Sequence, residues 1–416
     1  MSKRRSDTRF QRHASPLVVR PFRPIELVQL DLATNSLIAD VGLLDDRRVW
    51  IEASKHGRIV GRVELERDAS ELTTDELAAL GSTFSDDGPA LFETIPDERL
   101  AAATVVVSTI CSDPAQLVGT VQSLLELDYP DFEVVVVDNR RGSPTEPIPT
   151  MPDDPRVRVV RETMPGVSSG RNRGVSASTG EIVAFTDDDA SVDRNWLRAM
   201  GARFAAEPSV DAIGGLVLPS ELETAPQLWF EEFYGGFSTS FEPSVVSLAT
   251  VDDDAMFPYA PRRFGAGCNM AFRRSALERM GGFDVALGVG TPARGGEDLA
   301  MFIELVTSGA TLAFEPAALV RHTHRRTEPA FLNQVLSYGV GLTAMFTALI
   351  SHDRRHALAI LRKVPGGLRL LTRPRADRSV SATPSYPRRT LAYQVLGMAY
   401  GPIAYARSRR WARRAA

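Results

Sequence analysis

The chain has 416 residues, 44% hydrophobic and 24% charged, with a formal net charge of −4. That is enough apolar material for a large core, and length alone allows two or three domains. Cys111 and Cys268 lie far apart and match no metal-ligand spacing, which excludes a cysteine-built metal centre and makes a reduced, cytosolic compartment the simplest expectation.

The basic start Lys3-Arg4-Arg5 is not followed by an apolar run, so no signal peptide is expected. Within residues 47–66, Val49-Trp50-Ile51-Glu52-Ala53 and Arg58-Ile59-Val60-Gly61-Arg62-Val63-Glu64-Leu65 flank Lys55-His56-Gly57, the pattern of a β-hairpin. With a helix expected near Thr74 to Leu80, residues 1–100 read as a small α+β domain of no readable function.

Residues 103–109, ending at Thr109, form an apolar strand pattern. Leu117, Val121, Leu124 and Leu125 then recur at helical spacing before Asp128-Tyr129-Pro130. A second apolar strand, residues 132–137, ends in Asp138-Asn139. Strand, helix, strand is the start of a nucleotide-binding α/β layer, although a turn at a strand end explains the Asp-Asn pair equally well. Arg171 and Asn172 fall in the next loop-helix segment, where they meet a phosphate or base, or simply make a basic helix face.

Asp187-Asp188-Asp189 closes the strand pattern 181–186, just before a helix-like stretch from Asp193 through Trp196. Polar groups at the end of a buried parallel strand project into the crevice where open α/β sheets bind ligands. Alternate residues share a face, so Asp187 and Asp189 point the same way. Two hard oxygen ligands there suit Mg²⁺ or Mn²⁺ carrying substrate phosphates, which implies a nucleotide diphosphate. Asp252-Asp253-Asp254 is equally acidic but runs into Phe257-Pro258-Tyr259 instead of a helix start, and is expected to be a loop.

The segment Pro165-Gly166-Val167-Ser168-Ser169-Gly170-Arg171-Asn172-Arg173-Gly174, followed by Gly180-Glu181-Ile182 and the strand ending in Asp187-Asp188-Asp189, resembles family 2 glycosyltransferases. Gly170 stands where that pattern often has Ala. The resemblance covers roughly residues 103–326 and implies a GT-A type α/β sandwich over residues 101–328. It also implies contacts of Asp138 and Asn139 with base and ribose; Thr109, Arg171, Asn172, Asp187 and Asp188 are counted with them as donor-binding. A frequent family form has two aspartates where this chain has Asp138-Asn139, which leaves the choice of nucleotide open.

Further on, Phe230, Phe233, Tyr234 and Phe237 fit one helical face in the richest aromatic stretch of the chain, read either as core or as a surface for an acceptor sugar or lipid tail. Gly295-Gly296-Glu297-Asp298 opens a helix with an apolar stripe at Leu299, Phe302, Ile303 and Val306. Acidic residues suit any helix start. Preceded by Gly281-Gly282-Phe283-Asp284, however, the pair matches the family's Glu-Asp motif, which implies Asp298 as general base, with Glu297 orienting the acceptor or structural. Residues 310–316 and 317–324 read as two short strands; the resemblance implies His322 as a third metal ligand beside Asp187 and Asp189. One base and no enzyme nucleophile imply a single displacement with inversion at the sugar. No Gln-x-x-Arg-Trp element occurs, so a non-processive enzyme is expected.

Residues 329–416 read as a helical, basic region. From 351 onward they hold fifteen Arg or Lys against Asp353 and Asp377, a net of +13 that leaves −17 for the rest. Two nearly charge-free stretches, 331–350 and 390–406, are marginal as membrane spans. Basic clusters beside apolar helices suit an anionic membrane surface, whereas no nucleic-acid recognition motif accompanies the charge. The expectation is a cytoplasmic protein, peripheral on the inner face of the cell membrane, that transfers a sugar from a nucleotide-diphospho-sugar to a glycan or lipid-linked acceptor. The alternative is a sugar-nucleotide-binding scaffold without turnover. A nucleotidyltransferase is disfavoured, because Ser108-Thr109-Ile110-Cys111-Ser112-Asp113-Pro114 is not a Gly-rich basic loop.

Overall fold

A computed structural model describes the chain apart from residues 1–21, 39–47, 66–71, 85–88, 143–147, 239, 251–255, 260–263, 373–385 and 416. The second aspartate triplet, 252–254, lies outside the described residues.

Strands β1 (Ile25–Asp31), β2 (Ser36–Ile38), β3 (Arg48–Lys55) and β4 (Arg58–Leu65) form a sheet in the order β2-β1-β3-β4. The expected hairpin is β3 and β4, in which Lys55 pairs Arg58. His56 and Gly57 both have positive φ, 49° and 67°, as a two-residue turn matching the twist of its strands requires. Helix α1 (Thr74–Gly81) starts where Thr73 caps it: Glu76 N–H donates to Thr73 Oγ1 at 3.3 Å, and Thr73 N–H donates to the Glu76 carboxylate at 2.9 Å. A short α2 (Leu91–Thr94) leads into the large domain.

That domain is built on nine strands in the order β11-β13-β10-β12-β8-β5-β6-β7, with β9 added beside β13. In chain order they are β5 (Ala103–Thr109), β6 (Phe132–Asp138), β7 (Val157–Arg161), β8 (Ile182–Thr186), β9 (Ala190–Val192), β10 (Val210–Pro219), β11 (Ser244–Val246), β12 (Met270–Arg273) and β13 (Thr311–His322). Strands β5, β6, β7 and β8 run parallel, so the ends of β5, β6 and β8 emerge side by side. The unbroken valine runs follow from burial on both faces. Val105, Val107, Val134 and Val136 pack under α3 (Pro114–Leu125) and α5 (Trp196–Ala206), while Val106, Val135 and Val137 face the opposite cluster. Around that second cluster lie α4 (Val167–Ala177), α7 (Arg274–Met280) and α8 (Glu297–Thr307); α6 (Ala225–Trp229) continues into a π-helical turn, Phe230–Tyr234. Trp196, Phe185, Phe272 and Phe302 are fully buried, each stabilising the fold by about 1.5–3 kcal/mol.

One expectation changes. Residues 311–322 form one strand, because the register between β10 and β13 slips at Gly215/Leu216 and absorbs Pro316 without ending the pairing. Buried Asn269 holds the irregularity: its amide donates to the Leu216 and Ala318 carbonyls at 2.8 Å each and accepts from the Trp196 indole N–H at 2.8 Å. The stretch 331–350 lies in α9 (Glu328–His352), which is long and apolar enough to cross a membrane, yet 44% of its most apolar part is buried inside the protein. Ala344, Met345, Ala348 and Leu349 join the same core as Phe302. Two further helices complete the chain, α10 (Arg355–Thr372) and α11 (Thr390–Ala415). The pairing of α9 with α11 is tight, since a Cβ on Gly397 would lie 2.2 Å from the Leu336 carbonyl oxygen and one on Gly401 2.5 Å from that of Val340.

Candidate active site

The ends of β5, β6 and β8, the start of α8 and one face of α9 enclose a single cleft of about 2280 Å³. Ligand pockets are commonly about 300–1,000 Å³, so there is room for more than one substrate. Thr109, Asn139, Arg171, Asp187, Asp188, Asp189, Asp298 and His322 all line it. Asp138 and Asn172 do not.

The aspartate triplet divides its work. Asp188 accepts a short hydrogen bond from the Thr109 hydroxyl, which in turn accepts from the Cys111 N–H at 2.7 Å, so Thr109 ties the end of β5 to the end of β8. Burial pushes the Asp188 carboxyl up, against the pull of that hydroxyl. Asp187 and Asp189 turn to the other side, where one ligand atom each from Asp187, Asp189 and His322 lie within 4.8 Å of one another. His322 Nε2 stands 3.9 Å from Asp189 Oδ1, too far for a hydrogen bond, and the buried Nδ1 has no partner. Burial holds the His322 ring well below its ordinary pKa despite the Asp189 charge, and the nearby His324 and Arg325 push the same way. The ring is therefore neutral at pH 7, the form that ligates metals. Burial also raises Asp187 to about 6; Arg171 opposes this, while Asp189, Asp188 and Asp298 add to it. Two carboxylate oxygens and a neutral imidazole form a donor set that fits Mg²⁺ or Mn²⁺.

Arg171 is buried between the two acidic centres. Its guanidinium donates to Glu297 at 2.8 Å and to the Gly267 carbonyl at 3.0 Å, and reaches Asp187 at 3.5 Å. Glu297 is thus committed to an internal ion pair, which favours the structural reading of that residue. Burial and the adjacent Asp298 charge push its carboxyl up, with Arg171 opposing. Asp298 differs. Its Oδ1 accepts from the Leu299 N–H at 2.8 Å, while Oδ2 lies close to Gly267, where a Cβ would come within 3.0 Å of it, and both residues line the cleft. The start of α8 is fixed by Gly296, at φ 87°, where a side chain would strike the Gly341 carbonyl of α9 at 2.7 Å.

The remaining expected donor residues are anchors. Asp138 is held by Arg140 (2.9 and 2.8 Å) and Arg161 (2.9 Å); burial would raise its carboxyl, but these cations outweigh it and keep it low. Asn139 donates to the Met164 carbonyl at 2.7 Å and accepts from the Gly166 N–H at 2.9 Å, so its amide fixes the loop before α4. Asn172 exchanges two 2.8 Å hydrogen bonds with the Phe283 backbone and shapes the turn that follows α7.

Several residues were not foreseen from the sequence. Arg140 and Arg141 line the cleft beside Asn139, and Gln334 and Tyr338 of α9 line it as well, with Gln334 donating to the Tyr338 hydroxyl at 2.9 Å. Phe230, Tyr234 and Phe237 serve both readings of the aromatic stretch, since they pack on each other and also wall the cleft. His324 bonds Glu231 at 2.8 Å and stays outside the metal group.

Residues 104–281 match the family model for Glycosyl transferase family 2. Among curated proteins, the glucosyl-dolichyl phosphate glucuronosyltransferase of Haloferax volcanii is 28% identical over 174 residues, 41% of this chain and 51% of that protein. A pre-mycofactocin glycosyltransferase of Mycobacterium tuberculosis is 24% identical over 245 residues, 59% of this chain and 47% of the other. The chain thus spans about half the length of these relatives. A solved mannosyltransferase from Pyrobaculum calidifontis in complex with GDP-Man and Mn²⁺ aligns over 74% of this chain and 91% of its own, at 18% identity and a TM-score of 0.45.

Proposed function

We propose, for a chain whose residues 104–281 form a family 2 glycosyl transferase domain, a metal-dependent and inverting transfer of a sugar from a nucleotide-diphospho-sugar to an acceptor hydroxyl. The observation that carries this reading is the convergence of Asp187, Asp189 and His322 on one point of the cleft that also receives Asp298. Asp187, Asp189 and His322 would hold Mg²⁺ or Mn²⁺, which when bound supplies Lewis-acid stabilisation of the departing nucleoside diphosphate.

The chain's own residues do the rest. Asp298 Oδ2, with no hydrogen bond among the described residues, takes the proton of the attacking hydroxyl. Its other oxygen is held by the Leu299 N–H, so the carboxylate is already oriented. Such a base typically contributes about 10²- to 10⁴-fold. Arg171 balances Glu297 and Asp187 and keeps the two acidic centres from repelling one another apart. Thr109 and Asp188 close the donor end, where Arg140 and Arg141 offer positive charge to a nucleotide. Asn139, which lines the cleft, and Asn172, which does not, hold the loops that shape it. The acceptor is a glycan or a lipid-linked molecule, and the place is the inner face of the cell membrane. Support for that location comes from the +13 charge of residues 351–416.

The test combines binding and turnover. Nucleotide sugars screened by thermal shift with and without Mn²⁺ should give a metal-dependent stabilisation. Asp298→Asn should keep that stabilisation and lower turnover about a hundredfold or more. Stabilisation without any turnover in the unaltered protein would instead favour a binding scaffold.

A further inference from the structure

The cleft does not end at Asp298. Tyr338, Leu342 and Phe346 all line it and are spaced by four on α9, so they share one face and recede by about 6 Å per step. Gly341, between Tyr338 and Leu342, packs against Gly295 and Gly296 at the start of α8, the turn that carries Asp298, so this part of α9 meets the cleft at the level of that carboxylate. Beyond it the wall becomes mostly apolar: Leu342 and Phe346 of α9 are joined by Ile360 and Val364 of α10 and Met398 of α11, with Thr343, Lys363 and Gln394 as the polar members.

Helix α10 carries this limb to the surface. Leu358, Leu361 and Val364 are 54%, 66% and 44% exposed, and Val364 belongs both to the wall and to the outer rim. Arg354, Arg355 and Arg362 are exposed on the same helix or just before it. A mostly apolar limb, in a cleft that also holds a carboxylate base and opening at an apolar rim set among cations, fits a molecule with a polar head and a long hydrocarbon tail. A free oligosaccharide would leave Leu342, Phe346, Ile360 and Met398 facing water.

We propose that this limb binds the hydrocarbon chain of an amphiphilic acceptor, holding its hydroxyl-bearing head at Asp298. The inference rests on the transferase reading of the same cleft and names the acceptor class that reading leaves open. It also assigns the C-terminal helices a role in substrate binding.

Alkyl glucosides with tails of two, six and eight carbons, used below their micelle concentrations with the full-length chain, are the probes. Calorimetric affinity should rise by up to about fourfold per added methylene and fall back toward the two-carbon value in Leu342→Ser and Ile360→Ser. Leu396→Ser, on the exposed side of α11, should leave the chain-length dependence unchanged. Mn²⁺-dependent stabilisation by a nucleoside diphosphate, measured on every variant, reports an intact fold and donor site. Affinity independent of tail length overturns the proposal, as does equal loss in Leu396→Ser, which would mean surface adsorption only. Chain-length dependence without any nucleoside diphosphate stabilisation in the unaltered protein would sink the transferase reading and leave the apolar site standing.

Discussion

At the scale of single residues, the metal group makes the sharpest demand. Asp189 and Asp188 are adjacent in sequence, but one faces His322 and the other is bound to the Thr109 hydroxyl. Asp189→Ala should abolish Mn²⁺-dependent stabilisation by a nucleoside diphosphate, whereas Asp253→Ala should not; thermal shift with and without metal distinguishes them. Asp187 adds a pH signature. Its carboxyl is raised to about 6 by burial and by neighbouring carboxylates, so between roughly pH 4 and 6 the folded protein holds a proton that the unfolded chain has released. Without metal, that contribution to stability is present at low pH and is lost as pH rises through about 6. Relative to Asp187→Asn, the metal-free protein should therefore lose thermal stability from pH 4 to pH 7. Affinity for Mn²⁺ should rise over the same interval, as the ligand sheds its proton. A flat difference between the two proteins would contradict the assignment.

That Asp187 and Asp189 share a face was legible because alternate residues at a strand end point the same way. Asp138 was not, because its partner Arg161 comes from β7, which no sequence pattern announced. Asn139 and Asn172 show the same limit: a sequence offers an amide but does not say whether a backbone will use it first.

At the scale of elements, the unbroken apolar runs of the valine strands marked them as buried, and helical spacing located α3 and α8. Pro316 suggested a break, but pairing on both sides of it and the hydrogen bonds of Asn269 kept β13 whole. The stretch in α9 has the composition of a membrane span, yet 44% of its most apolar part packs inside the protein, and composition cannot separate those two environments. Its pairing with α11 depends on glycines whose need for space comes from a helix far away in sequence. Gly401→Val would place atoms against the Val340 carbonyl and the Thr343 hydroxyl. Overpacking of this kind typically costs about 1–3 kcal/mol, so the melting temperature should fall by several degrees. Donor binding should be largely retained, since Gly401 does not line the cleft.

For the whole molecule, charge is strongly divided between a basic C-terminal end and an acidic remainder. Attraction of the basic end to anionic lipid is screened within about 8 Å at physiological salt, while apolar insertion is not. With Leu358, Leu361 and Val364 exposed beside arginines, attachment to acidic vesicles should be only partly reversed by high salt. Replacing those three residues with Ser should make it fully reversible. Co-sedimentation at low and high salt measures this, and equal salt release of both proteins would move the anchor elsewhere.

The small N-terminal sheet contributes no side chain to the cleft, yet it holds the strand end that carries His322. Arg321 pairs with buried Glu52 of β3, and His324 is bonded to Glu231, which also accepts from Arg62 of β4 at 3.3 Å. The imidazole between them is thus hung from two fixed points, and its aim is inherited from residues that never meet a substrate. If Asp187, Asp189 and His322 hold a metal as proposed, drift in that sheet would be felt as a fall in metal affinity, so that a search for residues governing metal use would lead away from the cleft and into the opening hundred residues.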